Sequence, residues 1–103
     1  MSKVLSTKLS FPPSESEDVV GYKLYVQQAP DPVTYDSQSF DLGNKTEIFI
    51  SALPGLDQVD GVYNLGVTAV DDAGNESDMK VIEGVSLDFF APAPVGDLTI
   101  TRV

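Results

Sequence analysis

Apolar and polar residues alternate along most of this chain, and turn-forming residues separate the alternating segments. This pattern is typical of half-buried β-strands, because successive side chains of a strand point to opposite faces of a sheet. No segment has the 3.6-residue periodicity of an amphipathic helix. The alternation predicts strands at 5–11, 20–27, 39–42, 46–52, 63–70 and 80–88. Short strands joined by turns, without helices, indicate an all-β antiparallel sandwich.

The second predicted strand shows how the alternation assigns side chains to faces. One side carries Val20, Tyr22, Leu24 and Val26, and the other carries Lys23, Tyr25 and Gln27. We therefore expect the first set in the core and the second on the outer face. The same reasoning places Ile48 and Ile50 inward and Phe49 outward.

Composition restricts the function classes. The length of 103 residues corresponds to one domain. Six Lys and Arg residues against sixteen Asp and Glu residues give a net charge of −10. This charge would repel nucleic acid and anionic membranes. The chain contains no Cys and no His, so disulfides, thiol nucleophiles, histidine acid–base chemistry and most zinc sites are excluded. No apolar run approaches the roughly 20 residues that span a bilayer, and residues 1–15 lack signal-peptide features.

Four segments of the sequence are similar to those of a known family. They are LSFPP at 9–13, GYKLYV at 21–26, IFISALP at 48–54 and GVYNLGVTAVDDAGNES at 61–77. Together they resemble a fibronectin type III domain of the bacterial, secreted-protein type, over about residues 5–89. The resemblance implies an immunoglobulin-like antiparallel β-sandwich and an extracellular, periplasmic or cell-surface location.

Four side chains are expected to have structural roles in such a sandwich: Phe11, Tyr22, Leu53 and Tyr63. Tyr63 opens an inward-facing strand after a turn, where a buried phenol needs a hydrogen-bond partner. A backbone acceptor in the preceding loop would form the tyrosine corner of these sandwiches. Leu53 would fill the core beneath that corner, and Phe11 stands where the family has a core Trp.

The two ends of the chain depart from the family pattern. Only about four residues precede the strand that ends at Phe11, which leaves no room for the family's first strand. The segment PAPVGDLTITR at 92–102 resembles that missing strand. We therefore divide the chain into a sandwich at 1–90 and, at 91–103, a Pro-rich linker with the first strand of a following or neighbouring domain. Leu98 and Ile100 are the candidate partner-binding residues of this second segment.

Two acidic clusters are candidate functional sites. Asp71, Asp72, Asn75, Glu76 and Asp78 crowd one loop and could hold Ca²⁺, but their order does not match the twelve-residue calcium-loop signature. Turn chemistry is the favoured interpretation. The acidic turn at 15–18 could be read as a glycosidase carboxylate pair, but a flexible exposed loop does not hold two carboxyls across a cleft. We expect no catalytic, metal-binding or cofactor-binding residue.

Aromatic residues outside the predicted core are the remaining candidates for binding. Tyr25 and Phe49 are expected on the outer faces of their strands, and Tyr35 and Phe40 lie in or beside the loop and short strand at 29–42. Exposed aromatic rings can stack on sugars or anchor a protein partner. Scattered exposed apolar residues are also normal, and Tyr25 and Phe49 are expected on opposite sheets.

These features favour a non-catalytic module that acts as a spacer or protein-interaction domain in a larger extracytoplasmic protein. Its expected partners are neighbouring domains or a second copy that exchanges strands. The alternative is an accessory polysaccharide-binding module that uses the exposed aromatics.

Overall fold

The computed structural model describes residues 7–50, 53, 55, 60–87, 95–96 and 99–101, and within them it contains six strands and no α-helix. The strands are β1 (Lys8–Ser10), β2 (Val19–Gln28), β3 (Gln38–Gly43), β4 (Glu47–Phe49), β5 (Gly61–Asp71) and β6 (Lys80–Leu87). All pairings are antiparallel, as predicted. In this part of the chain no helix could cross a membrane.

The strands form two sheets. β1 pairs with β4 in one, and the other has the order β3-β2-β5-β6. The long central strands β2 and β5 place Leu24 opposite Val67 and Tyr25 opposite Gly66. Both strands extend beyond the alternating segments that predict them, 20–27 and 63–70.

Side chains from both sheets meet in one core. Its buried members are Tyr22, Leu24, Val26, Phe40, Leu42, Ile50, Leu53, Tyr63, Leu65 and Leu87, and Leu9, Phe11 and Ile48 pack against them half-buried. The ring of Phe11 meets that of Tyr22 edge-on, with the centroids 5.1 Å apart. The expected burial of Tyr22, Leu53 and Tyr63 is confirmed.

Three expectations from the sequence are wrong in detail. Val20 is 56% exposed, because the register between β2 and β5 shifts after Val19 and turns this side chain away from the core. Phe40 lies in the core, because β3 pairs in full with the edge of β2. Within the described part of the predicted 5–11, β1 covers only Lys8–Ser10 and ends before Phe11, since Pro12 and Pro13 come next and cannot donate to a ladder. Residues 5 and 6 lie outside the described residues.

A bulge in β6 is held by a buried side chain of β5. Asn64 is 7% exposed, and its Oδ1 accepts the backbone N–H of Gly84 at 3.1 Å. Gly84 has φ +72°, which disfavours any residue with a Cβ. The Nδ2 of Asn64 donates to the carbonyl of Asp31 at 2.9 Å and so ties the loop before β3 to the same strand.

Candidate binding surfaces

The outer face of the four-stranded sheet carries a cluster of polar side chains, which we call the outer cluster: Tyr25, Tyr35, Thr68 and Glu76. The hydroxyls of Tyr25 and Thr68 both donate to Oε1 of Glu76, at 2.5 and 2.8 Å. The ring of Tyr35 packs edge-on against that of Tyr25, with the centroids 5.8 Å apart. The Tyr35 hydroxyl donates to the carbonyl of Ser77 at 2.9 Å. These contacts hold the loop after β5 over the centre of the sheet.

The ionisation of this cluster follows from its geometry. Burial, and then the hydrogen bond to Glu76 and its charge, raise the pKa of Tyr25 to about 12. The hydrogen bonds from Tyr25 and Thr68 lower the pKa of Glu76, with a smaller contribution from the positive charge of Lys23. At neutral pH the cluster therefore consists of a carboxylate with two neutral hydroxyl donors.

The loop after β5 is ordered by Asp71. Its Oδ1 accepts the backbone N–H groups of Ala73 and Asn75 at 3.0 and 2.8 Å, and its Oδ2 accepts Nδ2 of Asn75 at 3.1 Å. Those hydrogen bonds lower the pKa of Asp71, the backbone donor of Asn75 contributing most. This is the turn chemistry favoured for the acidic segment at 71–78.

The described residues contain no group of three or more acidic side chains that could hold a metal ion. Glu15, Glu17 and Asp18 are exposed in the turn before β2.

Met79 covers the sheet beside the outer cluster. It lies over Gly66, and a Cβ built on this glycine would be 2.3 Å from the Met79 sulfur. Gly66 therefore lets the segment before β6 pack directly on the backbone of β5.

The predicted set of exposed aromatics is only partly correct. Tyr25 does lie on the outer face, but it is 3% exposed, because Tyr35 and the loop that carries Glu76 cover it. Phe40 is 8% exposed and belongs to the core. Tyr35 and Phe49 are 53% and 50% exposed. Since Phe49 is on β4 and Tyr35 packs on β2, the two rings do not form one platform.

A second surface is a groove between β1 and the β5–β6 edge of the other sheet. Its wider part, about 570 Å³, includes Phe11, Tyr22 and Lys80, and its narrower part, about 210 Å³, includes Leu9 and Ile82. Phe11, Val67 and Lys80 line both parts, so the two form one continuous depression. We call it the β1–β6 groove.

Of the candidate residues in the C-terminal segment, Ile100 is 86% exposed and belongs to no strand. Leu98 lies outside the described residues. Residues 56–59, in the loop before Tyr63, do as well, so the tyrosine corner stays a prediction.

The sequence singles out Tyr25, Tyr35 and Glu76 separately, but it does not predict that they form one cluster with Thr68. Thr68 belongs to the predicted strand at 63–70 and Glu76 to the acidic turn at 71–78, and nothing in the alternation brings the two side chains together. Ile82 carried a usable signal, because an apolar residue in an exposed strand next to Val81 marks either core or a contact surface.

Comparison of the chain with protein-family models, with curated proteins and with solved structures gives no match.

Proposed function

We propose that this chain is a non-catalytic, fibronectin type III-like module that serves as a spacer or protein-interaction domain in a larger extracytoplasmic protein. One observation carries the interaction part of the proposal. In the β1–β6 groove, core-facing side chains stand uncovered beside a strand whose outer edge pairs with no described residue. Such an edge is where an extended peptide adds to a sheet.

The order of the strands supports a sandwich of this kind. A two-stranded sheet and a four-stranded sheet, both antiparallel, enclose one core. The segments that resemble the family, 21–26 and 61–77, include most of the central strands β2 and β5. The extracellular, periplasmic or cell-surface setting is supported by that resemblance alone.

The chemistry of the outer cluster supports a role without catalysis. A general acid needs a carboxyl whose pKa is raised, whereas the pKa of Glu76 is lowered by its two hydroxyl donors. Its Oε1 is already occupied by Tyr25 and Thr68. The cluster therefore secures a loop.

Polysaccharide binding is the weaker alternative. A sugar-binding surface needs aromatic rings presented together, and burial removes Tyr25 and Phe40 from that set. Tyr35 and Phe49 remain exposed, on different sheets.

The test compares the two ligand classes on the full chain. A library of random displayed peptides should enrich extended sequences in which apolar and polar residues alternate. Their binding should perturb the NMR amide signals of Ser10 and Val81 and should weaken in an Ile82→Lys variant. A glycan array should show no binding. Sugar binding that depends on Tyr35 or Phe49, without enrichment of such peptides, would overturn the proposal in favour of the alternative.

A further inference from the structure

The β1–β6 groove exposes part of the core face of β6. Leu65 and Ile82 are directly paired across β5 and β6, so their side chains share one face of the sheet. Leu65 is 2% exposed, whereas Ile82 is 53% exposed. Farther along β6, Leu87 is 3% exposed. The first half of β6 therefore has a core-facing surface that no described residue covers.

The backbone of β1 adds a row of hydrogen-bonding groups at the same place. Phe11 N donates to the carbonyl of Thr46, and Ile50 N donates to that of Thr7, so the odd-numbered residues of this segment face β4. In an antiparallel ladder the alternate residues, Lys8 and Ser10, direct their N–H and C=O groups to the opposite side. Within the described part of the chain, no strand pairs with that side.

The C-terminal segment has the sequence that such a position requires. Residues 97–101 read Asp-Leu-Thr-Ile-Thr, and their alternation places Leu98 and Ile100 on one face of a strand. Ile and Thr favour strands, and Ile100 is 86% exposed here. A strand added to β1 would turn these two apolar side chains toward Leu9, Val67 and Ile82. Lys80 lines the groove, and its positive charge would attract the negative charge of Asp97, the first residue of the segment.

The direction in which the segment would run along β1 distinguishes this chain's own segment from that of another molecule. Along the groove, Phe11 lies near Lys80 and Leu9 near Ile82, so β1 and β6 run in opposite directions. β6 thus ends where β1 begins, and the chain's own segment would enter the groove parallel to β1.

Antiparallel pairing would require the chain to return along β6 and then reverse. From Leu87 to Asp97 the chain reaches about 33 Å when extended, and the eight residues of β6 already span about 26 Å. That leaves too little chain for the reversal. The segment of a second molecule enters from either end without this limit.

We propose that the β1–β6 groove binds residues 97–101 of a second copy of this chain, which add to β1 as an antiparallel strand with Leu98 and Ile100 in the groove. The proposal deepens the proposed function, on which it rests, by naming the partner and the site. Because each chain carries a net charge of −10, the two copies repel at long range, and association should strengthen with added salt.

The test uses two full-length variants with separate defects. Ile82→Lys blocks the groove and leaves the segment intact, whereas Ile100→Lys blocks the segment and leaves the groove intact. Each variant lowers the net negative charge, so any lost association cannot result from added repulsion. Val62→Lys is the matched control, since Val62 is 43% exposed on β5 and does not line the groove.

Sedimentation equilibrium should show a self-associating wild-type chain and a self-associating Val62→Lys variant. For each of the other two variants, the dissociation constant of self-association should be roughly tenfold higher or more. Mixing Ile82→Lys with Ile100→Lys should restore a one-to-one complex, because one intact groove meets one intact segment. In that mixture, labelled Ile100→Lys protein should show amide shifts at Lys8, Ser10 and Val81.

A chain that stays monomeric at all concentrations, or whose association neither variant weakens, would overturn the inference. Slow amide hydrogen exchange of residues 99–101 in a monomer would also overturn it, because it would indicate that the segment docks in its own groove. Displayed peptides that still bind the groove in those cases would leave the proposed function standing. If the chain neither binds such peptides nor self-associates, the proposed function is overturned as well.

Discussion

The hydroxyl of Tyr25 donates to Glu76 at 2.5 Å, although the two residues are 51 positions apart in the sequence. Thr68 donates to the same carboxylate oxygen from the neighbouring strand. The pair closes the loop after β5 over the outer face of the sheet and buries a tyrosine that the alternation placed at the surface. The first two predictions concern this contact.

Removing the Tyr25 hydroxyl should destabilise the fold. We expect Tyr25→Phe to lower the free energy of unfolding by about 1 kcal/mol, a small value because Glu76 lies in an exposed loop. Glu76→Gln should have a smaller effect, because the amide oxygen still accepts the hydroxyl and only the charge is lost. The double variant should cost less than the sum of the two, because both changes act on the same hydrogen bond. Urea unfolding of the three variants measures this. Additive effects would mean that the two side chains are not coupled.

Stability should respond to acid in two stages. From pH 7 to about pH 4.5, protonation relieves the repulsion of a chain with a net charge of −10, so the melting temperature should hold or rise. The lowered pKa values of Glu76 and Asp71 act in the opposite direction. The stabilisation that these two carboxylates contribute to the folded state is complete above the ordinary carboxyl pKa, and it is lost as the pH falls through their lowered pKa values.

The melting temperature should therefore fall below about pH 4.5, and less steeply in Glu76→Gln. Glu83→Gln is the control, because it removes the same charge from an exposed position on β6. Calorimetry across this pH range gives the comparison. A steady fall from pH 7 to 4.5 in the unmodified chain would contradict the first stage.

Gly66→Ala should destabilise the protein through Met79. The added Cβ would lie 2.3 Å from the Met79 sulfur, so the methionine must move off β5. We expect a loss of about 1 kcal/mol, the lower end for overpacked sites, because the atoms that must move belong to the flexible side chain of Met79. A smaller loss for Gly66→Ala in a Met79→Ala background would identify the clash as the cause. Gly96→Ala is the control, since its Cβ would meet nothing within 4 Å.

Tyr63→Phe should test the structural role assigned to Tyr63. The side chain is 6% exposed, and its replacement removes only the hydroxyl and retains the ring in the core. A buried group that loses its partner costs about 1–3 kcal/mol. The denaturation midpoint should fall accordingly, while the spectrum of the native state stays the same. An unchanged midpoint would show that the hydroxyl does not contribute to stability.

The sequence by itself was enough to predict an all-β antiparallel fold, the six strands and most of the core. The period of two determines which side chains of one strand share a face, so Tyr22 and Leu24 of β2 were expected on the same face, and both lie in the core. Exceptions arose where the period is interrupted, as at the register shift that exposes Val20.

Only the tertiary structure decided which faces are covered. Alternation placed Tyr25 on the outer face, but its burial depends on a loop that comes from the far end of β5. The converse holds for Ile82, which shares the core face with Leu65 and yet stays open, because no described strand lies over it. Local sequence determines the direction of a side chain, whereas its exposure depends on segments distant in the chain, which come together only when the sheets pack.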